Sequence, residues 1–305
     1  MIENTRRHAP ACFRKGRKGG GSGLSEAPIG LIAGSGRFPI LFSVEAKKQG
    51  QRVIAIALKG VTDESLSDLV DSYHPFKLGQ VNGPLKVLKE AGVEKVVMAG
   101  KVQHTSLFGG ILPDLRAVKI LASLKDRRTD TILSAIANEF SKEGMTLISS
   151  ATYLQDLLPA EGVLTKRSPS KQEAADIKLG LGAANASAGY DIGQSVVVKD
   201  RAIIAVEAME GTDAAMMRAA ALAGTEKSGA KKNGLVLVKV AKPRQDFRFD
   251  IPVVGLDTLD TIEAAGVTAL SIEAGSTLIF DKEEFLERAN RMGITIVASA
   301  RGNAL

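Results

Sequence analysis

The sequence is poor in the residues that mark several large protein classes. Its 305 residues include one cysteine, Cys12, no tryptophan and only 4% aromatic side chains. A single cysteine allows neither an intrachain disulfide nor a cysteine-based zinc site, so nothing indicates an oxidising compartment. With so few aromatic residues, the core has to be built from Ala, Val, Ile and Leu, as in parallel α/β sheets.

Long apolar runs are also missing. No stretch reaches the roughly 18 uninterrupted apolar residues of a membrane-spanning helix. Residues 1–28 lack the apolar centre of a secretory signal and contain RKGRKGGGSG, so we predict that they form a disordered basic leader. We therefore expect a cytoplasmic protein whose contact with the inner membrane is peripheral at most.

The net charge of +6 is concentrated at the N terminus. Residues 1–26 hold six basic side chains against two acidic ones, which leaves the remainder nearly neutral. The high isoelectric point is therefore no argument for a nucleic-acid partner. With 45% hydrophobic and 24% charged residues, the chain has the composition of a globular protein, and it is long enough for two domains.

Short apolar runs closed by glycine alternate with segments of helical spacing. Such an alternation predicts a parallel sheet with right-handed crossovers. A polar segment rich in proline and glycine, residues 161–172, is the predicted linker. We therefore predict an N-terminal α/β domain over 29–160 with a Rossmann-like parallel sheet, and a C-terminal α/β catalytic domain over 173–305, in which 195–209 forms a hairpin.

Two glycine-containing turns follow predicted strands of the first domain. The first, AGSGRFP, contains Gly34, Ser35 and Gly36, and the second, AGKV, contains Gly100 and Lys101. Free N–H groups at such turns can hold an anion, and a lysine can meet a phosphate. The sequence therefore predicts that both turns bind part of a ligand at one edge of the sheet, although each is also compatible with a plain strand-to-helix turn.

The first turn departs from a dinucleotide fingerprint. Phe38 and Pro39 stand where that fingerprint needs glycine, and ALKG rather than an acidic residue follows the second strand. Binding of a nicotinamide cofactor is therefore disfavoured.

The segment SLFGGILPDLRAVKILASLKDRR, residues 106–128, mixes apolar side chains with basic ends that include Lys125, Arg127 and Arg128. A helix of this composition can touch lipid while its basic residues face head groups. The alternative is a core helix with one buried face.

Three carboxylates crowd the segment VEAMEGTDAAM. Glu207, Glu210 and Asp213 lie within seven residues at a strand-to-helix turn, where they repel one another unless a cation offsets the charge. Strand alternation predicts that Glu207 and Met209 share a face. Thr212 or Asp213 is expected to cap the helix that follows, but a cap accounts for only one acid.

A second segment, KVAKPRQDFRFDIPVVG, adds basic and acidic side chains to the same domain: Lys239, Lys242, Arg244, Asp246, Arg248 and Asp250. Oxygen ligands for a hard cation, basic groups for phosphate and a carboxylate to orient water are what magnesium-assisted phosphoryl chemistry needs. Taken one at a time, these acids are also compatible with solvated surface charges.

These segments, with IGLIAGSGRFPILF, MAGKV, LPD, LTKRSPS and YDIGQSVVV, resemble the LpxI-type UDP-2,3-diacylglucosamine pyrophosphatases over about residues 29–300. The resemblance implies a lipid A pathway hydrolase that forms UMP and 2,3-diacylglucosamine 1-phosphate. It also implies a divalent cation, typically Mg²⁺, and a lipid-linked nucleotide sugar held between two α/β domains.

The resemblance also implies site residues. The critical acid of the family's motif corresponds to Asp250, which we expect to orient water or bind the metal. We expect Glu210 and Asp213 to ligate or support the metal, and Asp213 to take part in catalysis. Substrate binding is assigned to Gly34, Ser35, Gly36, Gly100, Lys101, Gln194, Thr212, Lys242 and Arg244.

Three other functions are compatible with the sequence. The first is a non-catalytic protein that binds a nucleotide sugar or lipid on the same scaffold. The second is a nucleotide-sugar transferase, and the third, which the missing dinucleotide fingerprint disfavours, is a nicotinamide oxidoreductase. The sequence does not specify an oligomeric state, and a homo-oligomer is compatible with it.

Overall fold

The first sheet is built from the apolar runs predicted to be buried strands. The computed structural model describes residues 27–102, 113–126, 129–224, 234–243, 246–249 and 251–301. Five parallel strands have the order β3-β2-β1-β4-β5, which is the Rossmann-like arrangement that the sequence predicts. Their bounds are β1 Ile29–Ala33, β2 Val53–Leu58, β3 Ser72–Phe76, β4 Lys95–Ala99 and β5 Thr146–Leu147.

Strand β3 was not predicted. Its sequence, SYHPF, contains a proline and lacks a strong apolar run. Because β3 pairs only with β2 at the edge of the sheet, Pro75 is tolerated there.

Helices cover both faces of the first sheet. On one face Phe42 of α1 packs with Leu31, and on the other Phe140 packs with Ile56 and Leu88. Complete burial of a side chain such as Phe42 contributes about 2–3 kcal/mol. The four described helices of this domain are α1 Phe38–Lys48, α2 Asn82–Glu90, α3 Leu115–Ser123 and α4 Thr129–Lys142.

The second sheet has six strands in the order β6-β13-β11-β9-β7-β8. Strands β9, β11 and β13 are parallel, and β7 is antiparallel to both of its neighbours. One edge of this sheet therefore contains the start of β7 and the carboxyl ends of β8, β9, β11 and β13. The bounds are β6 Gly162–Val163, β7 Ser195–Lys199, β8 Ala202–Val206, β9 Leu235–Lys239, β11 Val267–Glu273 and β13 Thr295–Ser299.

Helix α5, Lys171–Gly189, lies on one face of this sheet. It approaches closely because a Cβ at Gly180 would lie 2.5 Å from Val238 Cγ2. The opposite face is covered by α6 Thr212–Leu222, α7 Leu256–Ala265 and α8 Lys282–Met292. The predicted hairpin is confirmed as β7–β8, and the buried carboxylate of Asp176 accepts the N–H groups of Asp200 and Arg201 at its turn.

The segment predicted as a linker is partly built into the second sheet. Gly162–Val163 pairs with β13, and Leu164 N–H donates to Ile296 O. Arg167 then makes a bidentate ion pair with Glu173 at the start of α5. The freely connecting stretch is therefore shorter than residues 161–172.

A two-stranded sheet lies where the two domains meet. It consists of β10 Val253–Val254 and β12 Leu278–Ile279. Phe38 of α1 stacks against Phe280 with ring centroids 5.4 Å apart, and Leu154 packs in the same apolar cluster as Leu278. Every helix among the described residues is too short or too polar to cross a bilayer.

Candidate functional site

The two glycine-containing turns of the first domain contact each other through their backbones. Ser35 N–H donates to Lys101 O at 2.8 Å, and Lys101 N–H donates to Ser35 O at 3.1 Å. A Cβ at Gly34 would lie 2.7 Å from Lys101 O, and one at Gly100 would lie 2.7 Å from Ser35 O. The structure therefore brings the predicted turns together, and these two glycines are needed for contact between the turns.

The outer part of these turns is open to solvent. Gly36 has φ +86°, a Cβ added there would meet no heavy atom within 4 Å, and Lys101 is exposed. The next residue, Arg37, makes a bidentate ion pair with Asp281 of the second domain at 2.6 and 3.1 Å. The first turn is thus tied to Asp281, the N-cap residue of helix α8.

Within the acidic segment, Glu207 is the carboxylate that the fold buries. Strand β8 ends at Val206, and the Glu207 side chain turns inward with 8% of the residue exposed. Its carboxylate accepts the Thr212 hydroxyl at 3.1 Å and the Gln194 N–H at 3.3 Å. Met209 is fully exposed, so the prediction that Glu207 and Met209 share a strand face was wrong, because the strand stops before them.

Glu210 lies on the surface and already has partners. It accepts Arg218 Nη2 at 2.6 Å and Ala208 N–H at 3.0 Å. Its own backbone N–H and the Arg218 guanidinium lower the pKa of this carboxyl group. Direct metal ligation by Glu210 would therefore compete with an ion pair.

Helix α6 begins at Thr212 without a side-chain cap. Its N-cap is Gly211, whose φ of +86° favours glycine, so the predicted cap by Thr212 or Asp213 was wrong. The Thr212 hydroxyl instead lies 3.1 Å from Ser195 Oγ and donates to Glu207. Asp213 is exposed in the first turn, where the helix dipole favours a negative charge.

Lys239 joins the two segments that the sequence analysis singled out. It is the last residue of β9, and its Nζ lies 3.4 Å from Thr212 Oγ1 and 3.3 Å from Val253 O. The acidic turn and the segment that includes Asp250 and leads into β10 therefore meet at one edge of the second sheet. The sequence analysis named Lys239 among the charged residues of the second segment but assigned it no role, although its place at the carboxyl end of a parallel strand was a usable signal.

The remaining predicted residues of this domain lie near the same edge or outside the described residues. Lys242 pairs with Asp191, and Gln194 O accepts Val240 N–H. The Gln194 Oε1 atom is buried and has no partner among the described residues. Arg244 and Asp250 lie outside the described residues, as do Arg127 and Arg128 of the first domain.

A further buried acid at this edge was missed by the sequence analysis. Glu273 ends β11, is 1% exposed and accepts Ala241 N–H at 3.1 Å. Burial raises the pKa of its carboxyl group, while that backbone hydrogen bond and the charge of Arg301 oppose the shift. Its sequence context, SIEAG, gave no sign that the acid would be enclosed.

This edge of the second sheet combines groups suited to an anion. It presents the Lys239 ammonium and the N–H groups at the start of α6, and the Thr212 hydroxyl, which donates to Glu207, accepts a hydrogen bond from that ammonium. Helix starts and lysines both favour phosphate-type ligands. In the part of the chain that the structure describes, no three His, Cys, Asp or Glu side chains are grouped closely enough to hold a metal ion by themselves.

Comparisons with known proteins match the whole two-domain region. The family model described as LpxI N-terminal domain matches residues 28–157, and the one described as LpxI C-terminal domain matches residues 160–297. A curated protein from Caulobacter vibrioides, named UDP-2,3-diacylglucosamine pyrophosphatase LpxI, is 31% identical over 272 residues. That match covers 88% of this chain and 96% of the relative. The chain therefore belongs to the LpxI family.

Proposed function

We propose that this chain hydrolyses the diphosphate of UDP-2,3-diacylglucosamine in the lipid A pathway. Water adds to one phosphorus, and the bond from that phosphorus to the bridging oxygen breaks, which releases UMP and 2,3-diacylglucosamine 1-phosphate. Both LpxI domain models match the chain, and its Caulobacter relative is named as a pyrophosphatase for this nucleotide sugar.

The observation that carries the proposal is the position of Lys239. Its ammonium lies between the Thr212 hydroxyl and Val253 O, at the edge where α6 begins. Hydrolysis of a diphosphate gathers negative charge on phosphoryl oxygens, and a preorganised cation stabilises that charge. We assign this role to Lys239, whose ammonium donates to the Thr212 oxygen, while the Thr212 hydroxyl donates to Glu207.

The other predicted residues complete substrate binding in this proposal. Lys242 exchanges its partner Asp191 for a phosphate oxygen, and Arg244 acts beside it. The turns at 34–36 and 100–101 seat the nucleotide or the glucosamine phosphate. Gln194, whose buried Oε1 lacks a protein partner among the described residues, accepts a hydrogen bond from the substrate.

We propose a divalent cation, Mg²⁺, as the cofactor. The donors on offer are carboxylates, which suit a hard cation, and magnesium keeps several waters, so few protein ligands suffice. Asp213 and Asp250 would hold the cation, and Glu210 would support it or ligate it after releasing Arg218. When bound, the cation supplies Lewis-acid stabilisation of phosphoryl oxygens.

We also propose that the protein works in the cytoplasm with a peripheral contact to the inner membrane. The acyl chains of the proposed substrate favour a bilayer because each buried methylene contributes about 0.8 kcal/mol. We infer that the protein meets that substrate at the membrane surface.

Replacement of Asp250 tests the chemistry. We expect Asp250→Asn to lower kcat about 100- to 1,000-fold, with KM little changed, because a group that acts in the transition state is lost. The assay follows UMP release from UDP-diacylglucosamine with and without Mg²⁺. Asp246→Asn is the matched control, since this carboxylate of the same segment already pairs with Arg248.

Two outcomes would contradict the proposal. If Asp250→Asn kept near wild-type turnover at saturating Mg²⁺, this role of Asp250 would be withdrawn. If the wild-type protein bound the nucleotide sugar and released no UMP over hours, a non-catalytic binding protein would replace the hydrolase.

A further inference from the structure

Helix α3 exposes an apolar face. Leu115 is 82% exposed, Val118 47% and Leu121 49%, whereas Ala117 and Ile120 of the same helix are buried. A spacing of three residues places Leu115, Val118 and Leu121 along one side of the helix. We call these three side chains the α3 face. The sequence left lipid contact and core packing as alternatives, and α3 has one face suited to each.

Basic side chains accompany the α3 face. Lys119 and Lys125 are exposed, and within the described part of the chain neither pairs with a carboxylate. The nearby acids are already engaged. Asp114 accepts the N–H groups of Ala117, Val81 and Asn82, and Glu139 pairs with Arg116 and Lys142.

A groove runs beside this helix, between α3 and α4. Its volume is about 800 Å³, and Lys119 is shared between the groove and the exposed side of α3. The groove is large enough for a phospholipid head group. The other charged side chains in its lining are Asp114, Arg116, Glu139 and Lys142.

A second set of exposed apolar side chains has the opposite electrostatic surroundings. It consists of Tyr190, Ile192 and Met209. These residues lie at the edge of the second sheet where Lys239 meets Thr212, which we call the polar edge. Three acids lie within the same two loops and the helix start that follows: Asp191, Glu210 and Asp213. Asp191 pairs with Lys242 and Glu210 with Arg218, so those basic side chains are already engaged, whereas Lys119 and Lys125 of α3 have no carboxylate partner among the described residues and can attract an anionic surface.

We propose that the α3 face docks this protein on an anionic lipid bilayer. Leu115, Val118 and Leu121 enter the interface, and Lys119 and Lys125 meet anionic head groups, as in interfacial amphipathic helices. The α3 face would be the surface that makes the peripheral membrane contact of the proposed function, so the proposal rests on that function. The docking itself is measurable without substrate.

The test is co-sedimentation with vesicles made of equal parts phosphatidylcholine and phosphatidylglycerol. We expect the full chain to bind them and to bind pure phosphatidylcholine vesicles much less. The variant Leu115→Ser/Val118→Ser/Leu121→Ser should lose at least tenfold in partitioning. Lys119→Gln/Lys125→Gln should lose roughly fivefold for each lysine and lose its sensitivity to salt.

The matched control replaces three exposed apolar residues on the outer side of the second domain: Ile203→Ser/Met217→Ser/Leu222→Ser. Equal binding by the α3 variant and the wild type, or a loss confined to the control, would overturn the proposal. So would a wild-type dimer that dissociates in the α3 variant while vesicle binding is absent.

Hydrolysis of detergent-dispersed UDP-diacylglucosamine separates this proposal from the proposed function. We expect the α3 variant to keep wild-type UMP release from dispersed substrate, since the α3 face lies outside the proposed catalytic groups. If the wild type released no UMP, the proposed hydrolase function would be wrong. The vesicle experiment would still test whether the α3 face binds the membrane.

Discussion

The turns after β1 and β4 differ from the polar edge of the second sheet in the atoms that make their contacts. In the first domain, Ser35 and Lys101 exchange backbone hydrogen bonds, and Gly34 and Gly100 have no room for a side chain. In the second domain, side chains make the contacts at the strand ends, from the carboxylate of Glu207 to the ammonium of Lys239.

This difference indicates that the first region serves substrate binding and the second serves catalysis. Backbone groups locked to one another provide a rigid platform of fixed shape, which suits binding. The Lys239 ammonium, which donates to the Thr212 oxygen, provides positive charge where a phosphoryl group can react. We therefore expect substitutions in the first region to act mainly on stability and those in the second mainly on turnover.

The largest effect is expected at Lys239. Lys239→Met should lower kcat/KM for UDP-diacylglucosamine about 100- to 1,000-fold, or roughly 3–4 kcal/mol, because phosphoryl charge would lose its cation. Steady-state kinetics measure the loss, and thermal unfolding reports whether the fold is retained. Lys199→Met, at the opposite end of the neighbouring strand, is the control and should keep near wild-type turnover. A similar loss of kcat/KM in both variants would contradict a specific role of Lys239 in turnover.

The next effect concerns stability at the glycine turns. Gly100 has φ +94° and faces Ser35 O, so Gly100→Ala should lower the free energy of unfolding by about 3–4 kcal/mol. Gly36→Ala should cost only about 1–2 kcal/mol, because its φ of +86° is strained for alanine but the space is open. Urea unfolding measures both. Equal losses would mean that backbone contact between the turns contributes little.

A pH-dependent contribution to stability is expected at Glu173, which lies away from the polar edge. Burial alone would raise the pKa of its carboxyl group, but Arg167 and the Ser170 N–H outweigh burial and lower it from 4.5 to about 2. Because the folded-state pKa is the lower one, this contribution is present above about pH 4.5 and is lost as pH falls towards 2. It amounts to about 3 kcal/mol.

Glu173→Gln tests that contribution. The variant should be less stable than the wild type at neutral pH, and the difference should shrink between about pH 4.5 and 2, as followed by chemical denaturation. Asp246→Asn, in which an exposed ion pair is lost, should change stability far less. A constant difference across this pH range would show that the ion pair with Arg167 does not lower the pKa of Glu173.

The smallest effect is expected at the ion pair between the domains. Arg37 is 59% exposed in its side chain, so its coupling to Asp281 should be below about 1 kcal/mol. A double-mutant cycle of Arg37→Ala and Asp281→Ala measures it. A coupling of several kcal/mol would mean that this pair, rather than the apolar cluster around Phe38 and Phe280, holds the domains together.

The fold was more predictable than the site. The runs IGLIA and VIAIAL are strongly apolar and bounded by turns, so strands and crossovers followed from local pattern alone. Strands β3 and β6 were missed because edge strands carry a weak apolar signal. At the site, the crowding of acids was visible in the sequence, but which acid is enclosed was not.

The sequence by itself determined a two-domain α/β protein, the glycine turns, the acidic segment and a resemblance that the family models bear out. Only the tertiary structure decided that Glu207 is buried while Glu210 pairs with Arg218, and that Lys239 joins Thr212 to the strand after Asp250. The physical reason is that local pattern specifies helices and strands, whereas strand order and register specify which side chains meet at a sheet edge.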